Sequence, residues 1–163
     1  MLKSMIFLGL MLVASFAKAQ GYDYKHLSDF KPLSAYPNAT AFEKNYRDYV
    51  QHCLDNTNGG LEGIPCLIGS KLWDRELNRY YQKLAKVLNH DEKALLLTSE
   101  RAWLKERDAS EKFSNAILRK IYPQQGTMYQ LMSASDADDT LSDIIKSRTL
   151  LLKKWYDAMK GND

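Results

Sequence analysis

Cys53 and Cys66 are the only cysteines in the chain. Thiols can serve as nucleophiles, metal ligands or redox pairs, or can close a disulfide. The pair lacks Cys-x-x-Cys spacing. Asp55-Asn56-Thr57-Asn58-Gly59-Gly60, then Gly63 and Pro65, lie between them, turn chemistry that can bring the two ends together. A structural disulfide is the expectation. The three histidines, His26, His52 and His90, show no His-x-x-x-His spacing, so no metal site and no cofactor are expected. Asp136-Ala137-Asp138-Asp139 has a faint likeness to a calcium loop. It lacks a glycine at the sixth place and a glutamate at the twelfth, and helix capping is the better reading. Glu106 and Asp108 are two apart on a helical stretch and point in different directions, unlike an acid/base pair acting on one bond. No Gly-x-Ser-x-Gly elbow occurs. These residues do not add up to an active site, and the expectation is a protein that is not an enzyme.

The elements that would carry these residues begin with a leader. Met1-Leu2-Lys3 is a short basic start, Met5 to Phe16 is apolar, and Ala17-Lys18-Ala19 supplies small residues at a cleavage site. The apolar run is too short for a membrane span. Residues 1–19 therefore read as a signal peptide, and the protein as periplasmic or secreted. The mature chain would hold about 144 residues, enough for one domain with its own core. Loss of Lys3 and Lys18 takes the formal charge from +3 to about +1. The pI near 8.7 thus overstates the basicity, and a nucleic-acid partner is not expected. No membrane span remains after cleavage.

Residues 20–38 read as an irregular N-terminal arm, with Tyr22, Tyr24, Phe30 and Tyr36 among polar residues and Pro32 and Pro37 as punctuation. Four helical stretches follow in 39–163. The first runs over about 39–56, with Phe42, Tyr46, Tyr49, Val50, Cys53 and Leu54 on one face. The second runs over 66–90, with Trp73, Leu77, Tyr80, Tyr81, Leu84 and Leu88 as its stripe. Asp91 is the expected cap of the third, over 92–122, whose apolar positions are Leu95, Leu96, Ala102, Trp103, Phe113, Ile117 and Ile121. Pro123 ends it. The fourth runs over about 138–160 along Leu141, Ile144, Ile145, Arg148, Leu151, Leu152, Trp155 and Met159, with Asp136, Asp138 and Asp139 at its start. Residues 124–135 read as a partly packed connection. The fold class is all-α: a small bundle of about four helices, largely antiparallel, with one disulfide.

Two stretches are more particular than a generic helix. One runs Trp73-Asp74-Arg75-Glu76-Leu77-Asn78-Arg79-Tyr80-Tyr81-Gln82-Lys83-Leu84, the other Ser99-Glu100-Arg101-Ala102-Trp103-Leu104-Lys105-Glu106-Arg107-Asp108-Ala109. Together they resemble the lysozyme inhibitor LprI-like domain family of exported bacterial proteins. Its pattern is a Leu-Asn-x-x-Tyr helix, a Gln-Arg-x-Trp-x-x-Tyr-Arg-Asp helix, a Gly-Ser or Gly-Thr loop, and a last helix with an arginine before a leucine. Gly126-Thr127 and Arg148-Thr149-Leu150 look like the last two elements, and Cys66 like the cysteine before the first helix. The resemblance spans about 46–155. Glu100 stands where the family has glutamine and Glu106 where it has tyrosine. A second pair of family cysteines is missing as a pair, with Ser110-Glu111 in the first place.

Trp73, Leu77, Tyr81 and Trp103 lie on helical stripes and read as core. Asn78, Arg107, Asp108 and Arg148 lie on or beside those stripes and read as one buried polar network that fixes helix register. Arg75, Arg79, Arg101 and Tyr129 are the candidates for contact with a partner. The resemblance implies a protein partner, a lysozyme, whose acidic cleft would be occluded; Lys71 with Arg75 and Arg79, or the 124–135 connection, would do so. The competing expectation is a periplasmic helical adaptor that binds another envelope component.

Overall fold

The computed structural model describes residues 22–161. The expected leader lies outside the described residues. Four α-helices make up most of the rest: α1 (Ala39–Asp55), α2 (Gly69–Val87), α3 (His90–Ile121) and α4 (Thr127–Lys160). A 3-10 segment, Gly60–Cys66, joins α1 to α2, and two single 3-10 turns, Leu27–Asp29 and Leu33–Ala35, lie in the N-terminal stretch. No strand occurs among the described residues.

The core forms where the aromatic stripes of α1 and α2 meet α4. Trp73, Phe42, Leu72 and Leu152 are fully enclosed. The Phe42 and Trp73 rings meet edge to face at 5.1 Å, a favourable arrangement of their quadrupoles. Trp73 Nε1 donates to the Tyr46 hydroxyl at 3.2 Å, so the polar atom of each ring is satisfied inside the core. Thr149 packs directly against α2 with no exposed surface, donating to Ile145 O at 2.8 Å. The Cys53–Cys66 disulfide, with Cα atoms 5.7 Å apart, ties the end of α1 to the end of the 3-10 segment. Both cysteines are fully buried.

α2 and α4 make the most extensive helix pair, and they run parallel. Gly69 meets Asp138, Trp73 meets Thr149 and Tyr80 meets Tyr156. α1 and α3 oppose α4 instead: Glu43 reaches Lys146, and Tyr122 reaches Asp136 while Glu100 reaches Arg148. The expectation of largely antiparallel neighbours therefore fails at the best-packed pair. The long α3 between α2 and α4 acts as the return crossing that a parallel pair requires.

α4 begins at Thr127, eleven residues before the expected start at 138, so most of the expected 124–135 connection is helix. The three aspartates read as its cap face other elements. Asp136 accepts from the Tyr122 hydroxyl at 2.6 Å. Asp138 accepts from the backbone N–H groups of Gly69 and Ser70 at 3.0 and 3.1 Å. It thereby caps α2, whose own preceding residue, Ile68, makes no side-chain cap. Asp139 approaches Arg47 at 3.8 Å. Gly126 sits at φ 133°, a conformation open to glycine, and lets the chain enter α4 without a longer loop. α3 likewise begins earlier than expected: Asn89, not Asp91, is its cap, in a reciprocal box with Glu92 at 3.0 and 2.9 Å.

Residues 22–38 pack on the core rather than trailing away. Phe30 and Leu33 are buried, and Tyr22, Leu27 and Tyr36 lie against the core cluster. α3 departs furthest from its expected stripe. Leu96 and Leu118 are its only buried residues. Leu95, Phe113 and Ile121 are exposed, at 71, 69 and 54%, because α3 packs mainly on α4.

Candidate recognition surface

The residues of the two family-like stretches separate into three local arrangements. Arg148 is buried, and its Nε and Nη2 donate to one Glu100 oxygen at 3.0 and 2.9 Å. Nη2 also donates to Ser99 Oγ at 3.0 Å. The guanidinium lies 5.9 Å from the Trp103 ring centre and 5.8 Å from that of Trp155. A buried arginine is thus neutralised and flanked by aromatic faces, the environment such a charge needs. Glu100, where the family has glutamine, is the residue that closes this ion pair.

Arg107 and Asp108 pair with each other at 2.7 Å near the surface, with Asp108 half exposed. Arg107 also lies 5.5 Å from the Trp103 ring centre. Asn78 is exposed on α2 and donates to Asp74 O at 2.9 Å. The expected single buried network of Asn78, Arg107, Asp108 and Arg148 is therefore corrected to three separate contacts. Only Arg148 of the four is buried. Trp73 and Leu77 lie in the core, while Tyr81 and Trp103 pack at its edge.

The four candidate contact residues do not share a patch. Arg75 holds the N-terminal stretch in place. Its guanidinium donates to Leu27 O, to Phe30 O at 2.9 Å and to Lys31 O at 3.1 Å, while pairing with the buried Glu76 at 2.8 Å. Arg79 is exposed and 3.8 Å from Glu76. Arg101 is exposed on α3, beside Glu100. Tyr129 stands in the first turn of α4, roughly 30 Å along the helix from the level of Arg148 by the 1.5 Å rise per residue.

A groove runs between α2 and α3 over α4. Ser70, Lys71 and Asp74 form one wall, Arg107 and Glu111 the other, and Leu141 with Ile144 and Ile145 the floor. Its two parts enclose about 270 and 450 Å³. Charges of both signs alternate around an apolar floor. That pattern suits a peptide segment better than a small uncharged ligand. Of the charged residues of this groove, the sequence singles out Arg75 and Arg107. Lys71 was named for its charge alone, and Glu111 carried no signal. No cluster of three or more His, Cys, Asp or Glu suited to a metal occurs among the described residues. No helix among them is long and apolar enough to cross a membrane.

Neither the curated proteins nor the solved structures contain a match to this chain. The profile described as "Lysozyme inhibitor LprI" matches residues 68–150, from the residue before α2 through the Arg148-Thr149-Leu150 turn of α4. That span includes α2, α3 and α4 as far as Leu150, the Arg148–Glu100–Trp103 cluster and nearly all of the groove, and on it the chain belongs to the lysozyme inhibitor LprI family.

Proposed function

We propose that the protein is exported after loss of residues 1–19, binds a lysozyme and blocks its cleft, and does not itself hydrolyse peptidoglycan. The family match over 68–150 is the observation that carries this reading. The buried disulfide supports the exported half of it, since such bonds persist in oxidising compartments. Residues 124–135 are mostly helix, so occlusion falls to a helical face rather than to a long inserted loop. The Lys71 and Arg107 walls of the groove can meet carboxylates of an acidic cleft.

A turbidity assay on peptidoglycan with c-type, g-type and invertebrate-type lysozymes, each titrated with the purified protein, tests the proposal. Stoichiometric inhibition of at least one type is expected. It should weaken with added salt, because exposed charges are screened beyond about 8 Å at physiological ionic strength. Failure to inhibit any type at micromolar concentrations of folded protein would discard it. The adaptor reading then gains, and one observation favours it: Phe113, Ile117 and Ile121 form an exposed apolar stripe at four-residue steps on α3. Clearing of peptidoglycan by the protein alone would discard both.

A further inference from the structure

The chain's formal charge is nearly balanced, yet one cavity gathers cations. It lies where the second half of α2 meets the second half of α4, beside the start of α1, and encloses about 540 Å³. Lys83, Lys153 and Lys160 all line it. Their ammonium groups converge on two tyrosines. Lys83 Nζ lies 4.8 Å from the Tyr80 ring centre and 5.6 Å from that of Tyr156. Lys153 lies 5.9 Å from Tyr80 and Lys160 5.7 Å from Tyr156. The two rings meet edge to face at 6.3 Å, so α2 and α4 fix the lysines' apolar stems over a rigid platform.

Asp157 is the only acidic residue in the lining, and it pairs with Lys153. Among the described residues, Lys83 and Lys160 have no carboxylate partner within ion-pair distance. Asn38 and Ala39, at the N-terminus of α1, stand on the same rim and add the positive end of that helix. Like charges held in one concavity repel, and faces of tyrosine only partly offset that. An anion in the cavity would answer Lys83 and Lys160 beside the Lys153–Asp157 pair.

The geometry points to a binding site for a compact polyanion, carrying closely spaced phosphate or carboxylate groups, in the Lys83–Lys153–Lys160 cavity between α2 and α4. Ammonium groups suit both anions as point charges with several donors. The site lies toward the other end of α2 from Lys71 of the groove wall, and it stands whether or not the protein inhibits a lysozyme.

Titration of the purified protein at low ionic strength with inorganic pyrophosphate and with citrate, followed by calorimetry and amide chemical shifts, tests this. Saturable one-to-one binding is expected, with shifts centred on Lys83, Tyr156 and Lys160. Lys83→Gln should weaken it about tenfold, the loss of one charge-assisted hydrogen bond. Lys83→Arg and Lys120→Gln, the latter near the Tyr122–Asp136 contact at the other end of α4, should leave it within about twofold of the parent. Tighter binding of pyrophosphate marks phosphate as the ligand group, and tighter binding of citrate marks carboxylate. Absence of saturable binding by either anion overturns the site. So do shifts centred on another part of the molecule, or affinity undiminished in both Lys83→Gln and Lys160→Gln.

Discussion

A buried ion pair is weak evidence for stability, but breaking one is costly, because the survivor keeps its charge without its partner. Arg148 and Glu100 are such a pair, with side chains 8 and 12% exposed. Glu100→Ala should therefore lower unfolding free energy by about 3 kcal/mol or more. Glu100→Gln, which restores the family residue, should lose much less, since an amide oxygen can still accept from the guanidinium. Urea denaturation of the two variants separates them; equal losses would mean that the charge, rather than the hydrogen bond, holds Arg148. Arg107 and Asp108 should behave differently. They are adjacent on α3, with Arg107 at the groove wall and Asp108 half open to water, so Asp108→Ala should cost less than about 1 kcal/mol. A loss near that of Glu100→Ala would restore the buried network expected from the sequence. Glu100 and Asp108 look alike in sequence because they flank Trp103 at three and five residues; which of them is buried depends on the side of α3 that α4 covers.

At the scale of elements, the unusual feature is capping and clamping across the fold. α2 has no side-chain cap of its own and takes Asp138 from α4. An N-cap change to alanine costs about 0.5–2 kcal/mol, so Asp138→Ala should destabilise by that order and raise amide exchange at Gly69 and Ser70. Asp138→Asn should recover part of the loss. Arg75 clamps the N-terminal stretch through three carbonyls while neutralising the buried Glu76. Arg75→Ala should thus free residues 22–37 to exchange and cleavage before the bundle unfolds, and leave Glu76 short of its main partner at a cost of about 3 kcal/mol. Hydrogen exchange by mass spectrometry reads both effects. Unchanged protection of the N-terminal stretch would show that Phe30 and Leu33 alone anchor it. Four helices, the aromatic stripes of α1 and α2, and the cysteine pair were legible because each is a local pattern. The start of α4 and the role of Arg75 were not. Aspartates that cap another helix look identical to aspartates that cap their own, and an arginine bound to distant carbonyls looks like a free one.

At the scale of the molecule, the disulfide ties the end of α1, beyond its aromatic contacts with the core, to the 3-10 segment. α4 is the shared element: α2 and the 3-10 segment Gly60–Cys66 lie against it on one side and α3 on another. The first half of α1 meets α2 through large aromatic side chains, Phe42 and Tyr46 on Trp73, and meets α4 through Glu43 and Lys146, whereas its last turns join the molecule largely through that 3-10 segment. The segment offers Leu61, Ile64 and Pro65 as apolar side chains, and two of its buried residues are glycines. Its backbone also comes close to α4, since a Cβ at Gly60 would meet Thr127 Oγ1 at 2.7 Å and Gly60 itself holds φ 54°. Cys53–Cys66 ties α1 to this segment, across a loop whose closure in the unfolded chain is worth about 3 kcal/mol. Removing the bond should therefore act on one side of the molecule more than the other. In Cys53→Ala/Cys66→Ala, global stability should fall by up to about 3 kcal/mol, with amide protection lost first in the second half of α1 and in residues 56–66. The α2–α4 interface should keep its relative protection, because its buried contacts do not run through the bond. Denaturation combined with residue-resolved exchange checks both parts. A uniform loss across all four helices would mean that α1 and the α2–α4 pair unfold as one unit and that the disulfide serves the whole bundle rather than one joint.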